Sequence, residues 1–173
     1  YHMDILPAVS TRDYDDQMRD ILAEGVNANN LDRVAIRITD NTRPEYAVSS
    51  NTADWLKSNP DGYAIWFANR CREKVSKTQL LTEEIVPLKS YNPNKTPLQR
   101  IVQILKRHRD IMFQGDDKKP ISIIITTLAA QAYNGESNII EGLVNVVLHL
   151  KDNIQYRNGV AYVLNPLNPQ ENF

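Results

Sequence analysis

A helix start at Thr96-Pro97 is the sequence feature that most constrains what this chain can fold into. A threonine hydroxyl can cap the first backbone N–H groups of a helix, and proline suits the first helical position. The apolar residues that follow recur at helical spacing: Leu98, Ile101, Val102, Leu105 and Met112. We therefore predict a helix over residues 97–113, within a mainly helical second part of the chain.

Further helices are predicted on either side of this one. Pro120 opens a helix that runs to about Tyr133. The next helix is marked by apolar residues at helical spacing: Leu143, Val146, Val147 and Leu150. Upstream, the Asn-Pro-Asp-Gly break at residues 59–62 predicts two short helices that meet at a corner. The segment 165–169 is predicted to be extended and rich in turns.

The first fifty residues have a different pattern. Residues 1–8 and 34–39 have the apolar patterning of strands, and residues 46–48 are predicted as a third, short strand. Residues 11–24 are expected to form a helix. Because two or three strands alone rarely make a stable unit, residues 1–50 are predicted to be an incomplete part of an α+β domain. The helical domain is then predicted to cover residues 51–173.

The amino-acid composition of the chain excludes several classes of protein. The 173 residues carry a formal net charge of −1, which offers no bulk attraction to nucleic acid or to an anionic membrane. Cys71 is the single cysteine, so an internal disulfide and a cysteine-based zinc site are excluded. The longest apolar stretch, residues 121–130, is shorter than the ~20 residues that a membrane span needs. These properties favour a globular protein of the reducing cytoplasm.

Asp4 is a candidate metal ligand. It lies in an alternating strand pattern in which His2 and Leu6 share its face. A carboxylate in mid-strand, flanked by large apolar side chains, is placed against its propensity. Half-buried carboxylates need a partner, and a metal ion is a common one. The alternative is an exposed or backbone-bonded carboxylate at a sheet edge.

Lys106 and Ser122 together form a candidate anion site. Ser122 lies in the first turn of its predicted helix, where free N–H groups and the helix dipole favour anions. Lys106 is near the end of the preceding predicted helix and could reach the same place across a helical hairpin. Lys118 and Lys119 lie between them, where cations are mildly unfavourable unless a polyanion binds. The alternative is that Lys106 pairs with Asp110 on a solvated helix face.

Taken together, these residues resemble a known family, the cGAS/DncV-like nucleotidyltransferases. The resemblance covers nearly the whole chain apart from residues 11–31, and the order and spacing of its motifs are more specific than any one of them. The matching segments are Tyr1-His2-Met3-Asp4-Ile5-Leu6-Pro7-Ala8, Asn59-Pro60 with Gly62-Tyr63 and Trp66-Phe67, residues 96–110, residues 119–130, and Asn165-Pro166 with Pro169 and Glu171-Asn172-Phe173. The fold that this resemblance implies is α+β: a few palm-domain strands of a polymerase-β-like nucleotidyltransferase, followed by a mainly helical C-terminal domain.

The resemblance also implies a site. Asp4 matches the third of the acidic residues that hold a pair of Mg²⁺ ions in this family, and Lys106 and Ser122 match residues that contact the donor triphosphate. Ile123 falls where some relatives place a base-stacking tyrosine. The family's Gly-Ser motif and its other two acidic residues would precede Tyr1, so we expect this chain alone to be catalytically inactive.

The implied activity is the joining of nucleoside triphosphates into cyclic di- or trinucleotides, or into linear oligonucleotides. In bacteria such messengers activate an effector protein during phage infection. ATP, GTP or other nucleoside triphosphates are the implied substrates, without a membrane or an obligatory nucleic acid, and with room for a regulatory protein partner. Two alternatives stay open: a nucleotidyltransferase of the same superfamily that acts on RNA ends, and a helical interaction module without chemistry.

Overall fold

The computed structural model describes residues 7–10, 14–24, 31–49, 51–72 and 95–173. The chain divides into two compact units, Tyr1–Trp66 and Phe67–Phe173, and each is described by itself. The predicted domain boundary at residue 50 stays a prediction.

The first unit contains a three-stranded antiparallel sheet. Its strands are β1 (Ala8–Val9), β2 (Ile36–Ile38) and β3 (Leu56–Ser58), in the spatial order β1-β2-β3. Helix α1 (Tyr14–Glu24) lies between β1 and β2 in the sequence. The predicted helix at 11–24 and the predicted strand at 34–39 are thus confirmed within these bounds. Residues 1–6 of the predicted first strand lie outside the described residues.

The prediction of a strand at residues 46–48 is wrong. The chain forms a 3₁₀ turn at Pro44–Ala47, and β3 supplies the third strand of the sheet. The reason is local, because the Asp40 carboxylate accepts hydrogen bonds from the backbone and hydroxyl of Thr42 at 2.9 and 2.6 Å. These bonds lower the pKa of Asp40 and turn the chain. Val48 is 84% exposed, so it has no core to pack against.

Asn59 starts a helix where the sequence pattern predicted a corner between two helices. Its Oδ1 accepts from the backbone N–H of Gly62 at 2.9 Å, and its Nδ2 donates to the carbonyl of Leu31 at 2.7 Å. Helix α2 (Pro60–Arg72) follows directly, with β3 before it and a 3₁₀ turn at Thr52–Asp54 before that. The predicted pair of helices is therefore wrong, because Asn59 caps a helix that begins at the end of a strand.

The second unit contains the three helices predicted from periodicity. They are α3 (Pro97–Met112), α4 (Ser122–Ala132) and α5 (Ile139–His149), and they confirm the predictions within a few residues. Thr96 forms a capping box with Gln99 at the start of α3. Asn138 caps α5 by accepting from the backbone N–H groups of Ile140 and Glu141 at 2.8 and 3.4 Å.

The core of the second unit lies where α3 packs against α4 and α5. Gly142 of α5 marks a close approach, since a Cβ there would lie 2.8 Å from Cδ1 of Ile101 and 3.2 Å from the Tyr133 ring. Arg70 of α2 donates to the carbonyls of Ala130 and Tyr133, both at 2.7 Å, and so satisfies the C-terminal end of α4. The buried apolar side chains of these elements include Leu98, Ile101, Val102, Leu128, Ala129, Ala130 and Val146.

The C-terminal part of the second unit forms hairpins. Strands β4 (Gln155–Arg157) and β5 (Val160–Tyr162) are joined by Asn158-Gly159, whose φ angles of 51° and 78° match a type I′ turn. Strands β6 (Leu164–Asn165) and β7 (Asn168–Asn172) form the second hairpin, in the segment predicted to be extended and turn-rich. Within the part of the chain that the structure describes, no helix has the length and apolarity needed to span a membrane.

Candidate functional site

The candidate site lies where α3 ends and α4 begins, within the second unit. Helix α3 ends at Met112, and the connection of residues 113–120 turns back to α4. The turn uses Gly115, which has a positive φ of 79° that other residues adopt at a cost. Helix packing then places the last turns of α3 beside the N-terminus of α4.

Arg109 ties these two helices together. Its Nη1 donates to the carbonyl of Pro120 and to Oγ of Ser122, both at 3.0 Å. Its Nε and Nη2 donate to Oδ1 of Asp110 at 3.0 and 2.6 Å. The side chain is only 12% exposed, so these bonds form where water competes weakly. Arg109 therefore fixes the position of Ser122 relative to α3.

Ser122 occupies the first residue of α4 and is exposed. The residue before it, Ile121, caps the helix without a side-chain hydrogen bond. The first backbone N–H groups of α4 are thus not covered by a capping side chain, and they carry the positive end of the helix dipole. Because the Ser122 oxygen accepts from Arg109, its hydroxyl hydrogen can be donated to a ligand.

Lys106 lies one turn before Arg109 on α3 and is half-buried. Burial lowers the pKa of its ammonium group below the ordinary value, and the positive charge of Arg109 lowers it further. The alternative partner expected from the sequence, Asp110, pairs with Arg109 at 2.6 Å instead. Among the residues that the structure describes, none forms an ion pair with Lys106.

The connection between the helices is nearly neutral. Asp116 and Asp117 precede Lys118 and Lys119, and all four are exposed. Asp116 also accepts a hydrogen bond from the backbone N–H of Lys118 at 2.8 Å, which holds the turn. Because Asp110 likewise balances the charge of Arg109, the excess positive charge at the site rests on Lys106 and the N-terminus of α4 rather than on the loop lysines.

Two of the three residues predicted for the site lie beside Arg109. Lys106 and Ser122 flank the guanidinium from α3 and α4. Asp4 lies outside the described residues. In the described ranges, no group of three or more histidine, cysteine, aspartate or glutamate side chains could hold a metal ion. The described residues do not by themselves fit a two-Mg²⁺ site.

Arg109 is the residue of the candidate site that sequence reasoning missed. The sequence did indicate that Arg109 lies near Lys106, since residues three apart share one face of a helix. The pattern did not reveal that its guanidinium reaches the next helix. That contact depends on the turn at 113–120, whose geometry is set by tertiary packing.

The geometry brings a lysine, an arginine and a helix N-terminus to the junction of two helices, and this combination has the chemistry to bind an anion such as phosphate. No protein-family model matches the chain. The chain is similar to a c-di-GMP synthase from Roseivirga ehrenbergii, with 41% identity over 124 residues. The match covers 68% of this chain but 32% of that protein, so the chain spans about a third of the length of its relative. This similarity supports the resemblance to nucleotidyltransferases that make cyclic dinucleotides.

Proposed function

We propose that this chain is part of a nucleotidyltransferase that makes a cyclic dinucleotide from nucleoside triphosphates. Lys106, Ser122 and the N-terminus of α4 bind the triphosphate, and Arg109 positions Ser122. The observation that carries the proposal is the half-buried Lys106, which has no ion-pair partner among the described residues and lies one turn from a guanidinium that anchors the start of α4. The similarity to a c-di-GMP synthase supports it from the sequence.

The proposed role of the site is electrostatic. A triphosphate carries several negative charges, and its pyrophosphate part gains charge when the α-phosphate is attacked. A lysine and a helix N-terminus that are already in place stabilise this charge without reorganising. Partial burial of Lys106 strengthens its attraction to phosphate, because fewer water molecules screen it. Mg²⁺ would belong to Asp4 together with residues outside this chain, and the chain alone is proposed to be inactive.

The binding test uses the full 173-residue chain and ATP or GTP, measured by isothermal titration calorimetry. Lys106→Ala is expected to weaken binding by about tenfold or more, since a charge-assisted phosphate contact contributes roughly 1.5–3 kcal/mol. Ser122→Ala should weaken it by about three- to tenfold, because one neutral hydrogen bond is lost. The matched control is Arg107→Ala, which removes the same charge from an exposed neighbouring position and should change affinity less than about twofold.

Equal losses in Lys106→Ala and Arg107→Ala would show that only net charge matters, and the proposed site would be wrong. The activity is tested with the longer protein that contains this chain, supplied with labelled GTP and Mg²⁺. Formation of a cyclic dinucleotide that is abolished by Asp4→Ala supports the proposal. Extension of an RNA end, or no nucleotide product at all, would contradict it.

A further inference from the structure

A cationic cavity lies in the first unit and takes no part in the site described above. It has a volume of approximately 450 Å³, within the range of small-molecule pockets. Arg33, Arg37 and Lys57 line it, and none of the described lining residues is acidic. The cavity therefore concentrates positive charge on a chain whose net charge is −1.

The sheet sets the spacing of these cations. Arg37 of β2 and Lys57 of β3 are direct cross-strand partners, and Val9 of β1 is the partner of Arg37 on its other side. Like charges at directly opposed positions of a sheet destabilise it. The guanidinium of Arg37 is held by a hydrogen bond of 3.0 Å to the carbonyl of Trp55. Two cations at paired positions on one sheet face favour a multiply charged anion.

The remaining walls supply neutral polar groups and an apolar surface. Ser10 and Thr52 contribute hydroxyl groups, which can donate to oxyanions. The side-chain carbonyl of Gln17 is buried and has no hydrogen-bond partner among the described residues, although Gln17 lines the cavity. This oxygen is an acceptor, so a donor on the ligand, such as a ribose hydroxyl or a base amino group, would satisfy it, whereas phosphate oxygens would not. The apolar lining comes from Val9, Ala35 and Ile36.

We infer that this cavity is a second anion site, which binds a polyphosphate chain through Arg33, Arg37 and Lys57. Arginine is suited to this ligand, because its planar fork donates to two phosphate oxygens at once. The chain can come from an inorganic polyphosphate or from a nucleoside polyphosphate, whose base would contact the apolar wall. The inference does not rest on the proposed function, because the described lining residues belong to the first unit.

The test measures binding of inorganic tripolyphosphate to the full chain by calorimetry in a Lys106→Ala background, which removes the main cation of the other site. We expect this variant to retain binding. Adding Arg33→Gln and Arg37→Gln should weaken the remaining binding by about tenfold or more. The matched control adds Arg19→Gln and Arg43→Gln, which remove the same charge from the same unit outside the cavity, and it should change affinity less than about threefold.

The sources of the ligand are separated by two further titrations. Tighter binding of ATP than of tripolyphosphate supports a nucleotide, and equal or weaker binding supports an inorganic chain. Citrate, a carboxylate trianion, should bind at least about tenfold more weakly than tripolyphosphate. The single variant Arg33→Gln keeps the hydrogen bond between Arg37 and Trp55 intact, so a loss of tripolyphosphate affinity in this variant supports a direct role of Arg33.

Three results would overturn the inference: complete loss of tripolyphosphate binding in Lys106→Ala, equal losses in the cavity variant and its charge control, or citrate binding as tight as tripolyphosphate. The first result would leave the proposed function standing. Conversely, unchanged ATP binding in Lys106→Ala, with loss only in the cavity variant, would contradict the site at α3 and α4 and support the cavity.

Discussion

At the scale of single residues, Lys106 and Arg109 have different roles despite their equal charge. The guanidinium of Arg109 donates hydrogen bonds to Asp110, Pro120 and Ser122, so these bonds fix its position without a ligand. Lys106 is half-buried beside it and has a lowered pKa. The positive charge at Lys106 is therefore costly in the free protein, and an anion that relieves this cost binds more favourably.

The lowered pKa of Lys106 predicts a pH dependence. Between the folded-state pKa and the higher unfolded-state value of about 10.4, the unfolded chain binds more protons, so Lys106 makes stability rise with pH there. At the proposed site, binding of ATP requires the ammonium form of Lys106, so affinity should fall as pH rises through the lowered pKa. It should fall at a lower pH than an ordinary lysine would allow.

Lys106→Arg keeps its charge over this range and is the control. Its ATP affinity, measured by calorimetry at increasing alkaline pH, should change less than that of the unmodified chain. Parallel curves for the two proteins would assign the pH dependence to another group.

At the scale of elements, the helices were predictable because their signals are local. The Thr96-Pro97 start and the apolar spacing after it define α3, and Pro120 marks the approach to α4. Strand β3 was missed, since Leu56–Ser58 is short and depends on pairing with β2. The hairpin at Asn158-Gly159 was also missed, although this dipeptide is a strong turn signal.

The cap of α5 offers an element-scale prediction. Asn138→Ala removes the oxygen that accepts from the N–H groups of Ile140 and Glu141, so the free energy of unfolding should fall by about 1 kcal/mol. Asn138→Asp should retain most of the stability, because aspartate is an equally good cap. Asn134→Ala makes the same chemical change at an exposed position outside a helix and should stay within about 0.5 kcal/mol. Urea unfolding measures all three, and equal effects of Asn138→Ala and Asn134→Ala would contradict the capping role.

At the scale of the whole molecule, the sequence predicted the nature of the second unit better than that of the first. Periodicity locates the helices that carry Lys106 and Ser122, but it does not show that Arg109 of the first helix donates to Ser122 of the second. The placement of the cationic cavity was also beyond the sequence, because it depends on strand register that sets Arg37 against Lys57. Asp4 remains a prediction, since it lies outside the described residues.

The exposed and buried positions of α5 are expected to differ in how well they tolerate a lysine. Ile140, Val144, Val147 and Leu148 of α5 are between 53% and 72% exposed, whereas Val146 is fully buried. The double change Val144→Lys and Leu148→Lys should alter the free energy of unfolding by less than about 1 kcal/mol and reduce light scattering at high concentration. Val146→Lys should prevent folding or cost several kcal/mol, because it buries an unpaired charge. Strong destabilisation by the exposed pair would show that this face is covered in solution.

The hydrogen bonds that hold Arg109 in place also affect the expected rate of ligand binding. A guanidinium held by a carboxylate, a carbonyl and a hydroxyl does not need to move when a phosphate arrives or departs. A phosphate that reaches the candidate site meets an electrostatic field that is already formed, and only the flexible side chain of Lys106 has to adjust. We therefore expect phosphate to associate rapidly with the site at α3 and α4, and we expect differences in affinity between ligands to come from their dissociation rates.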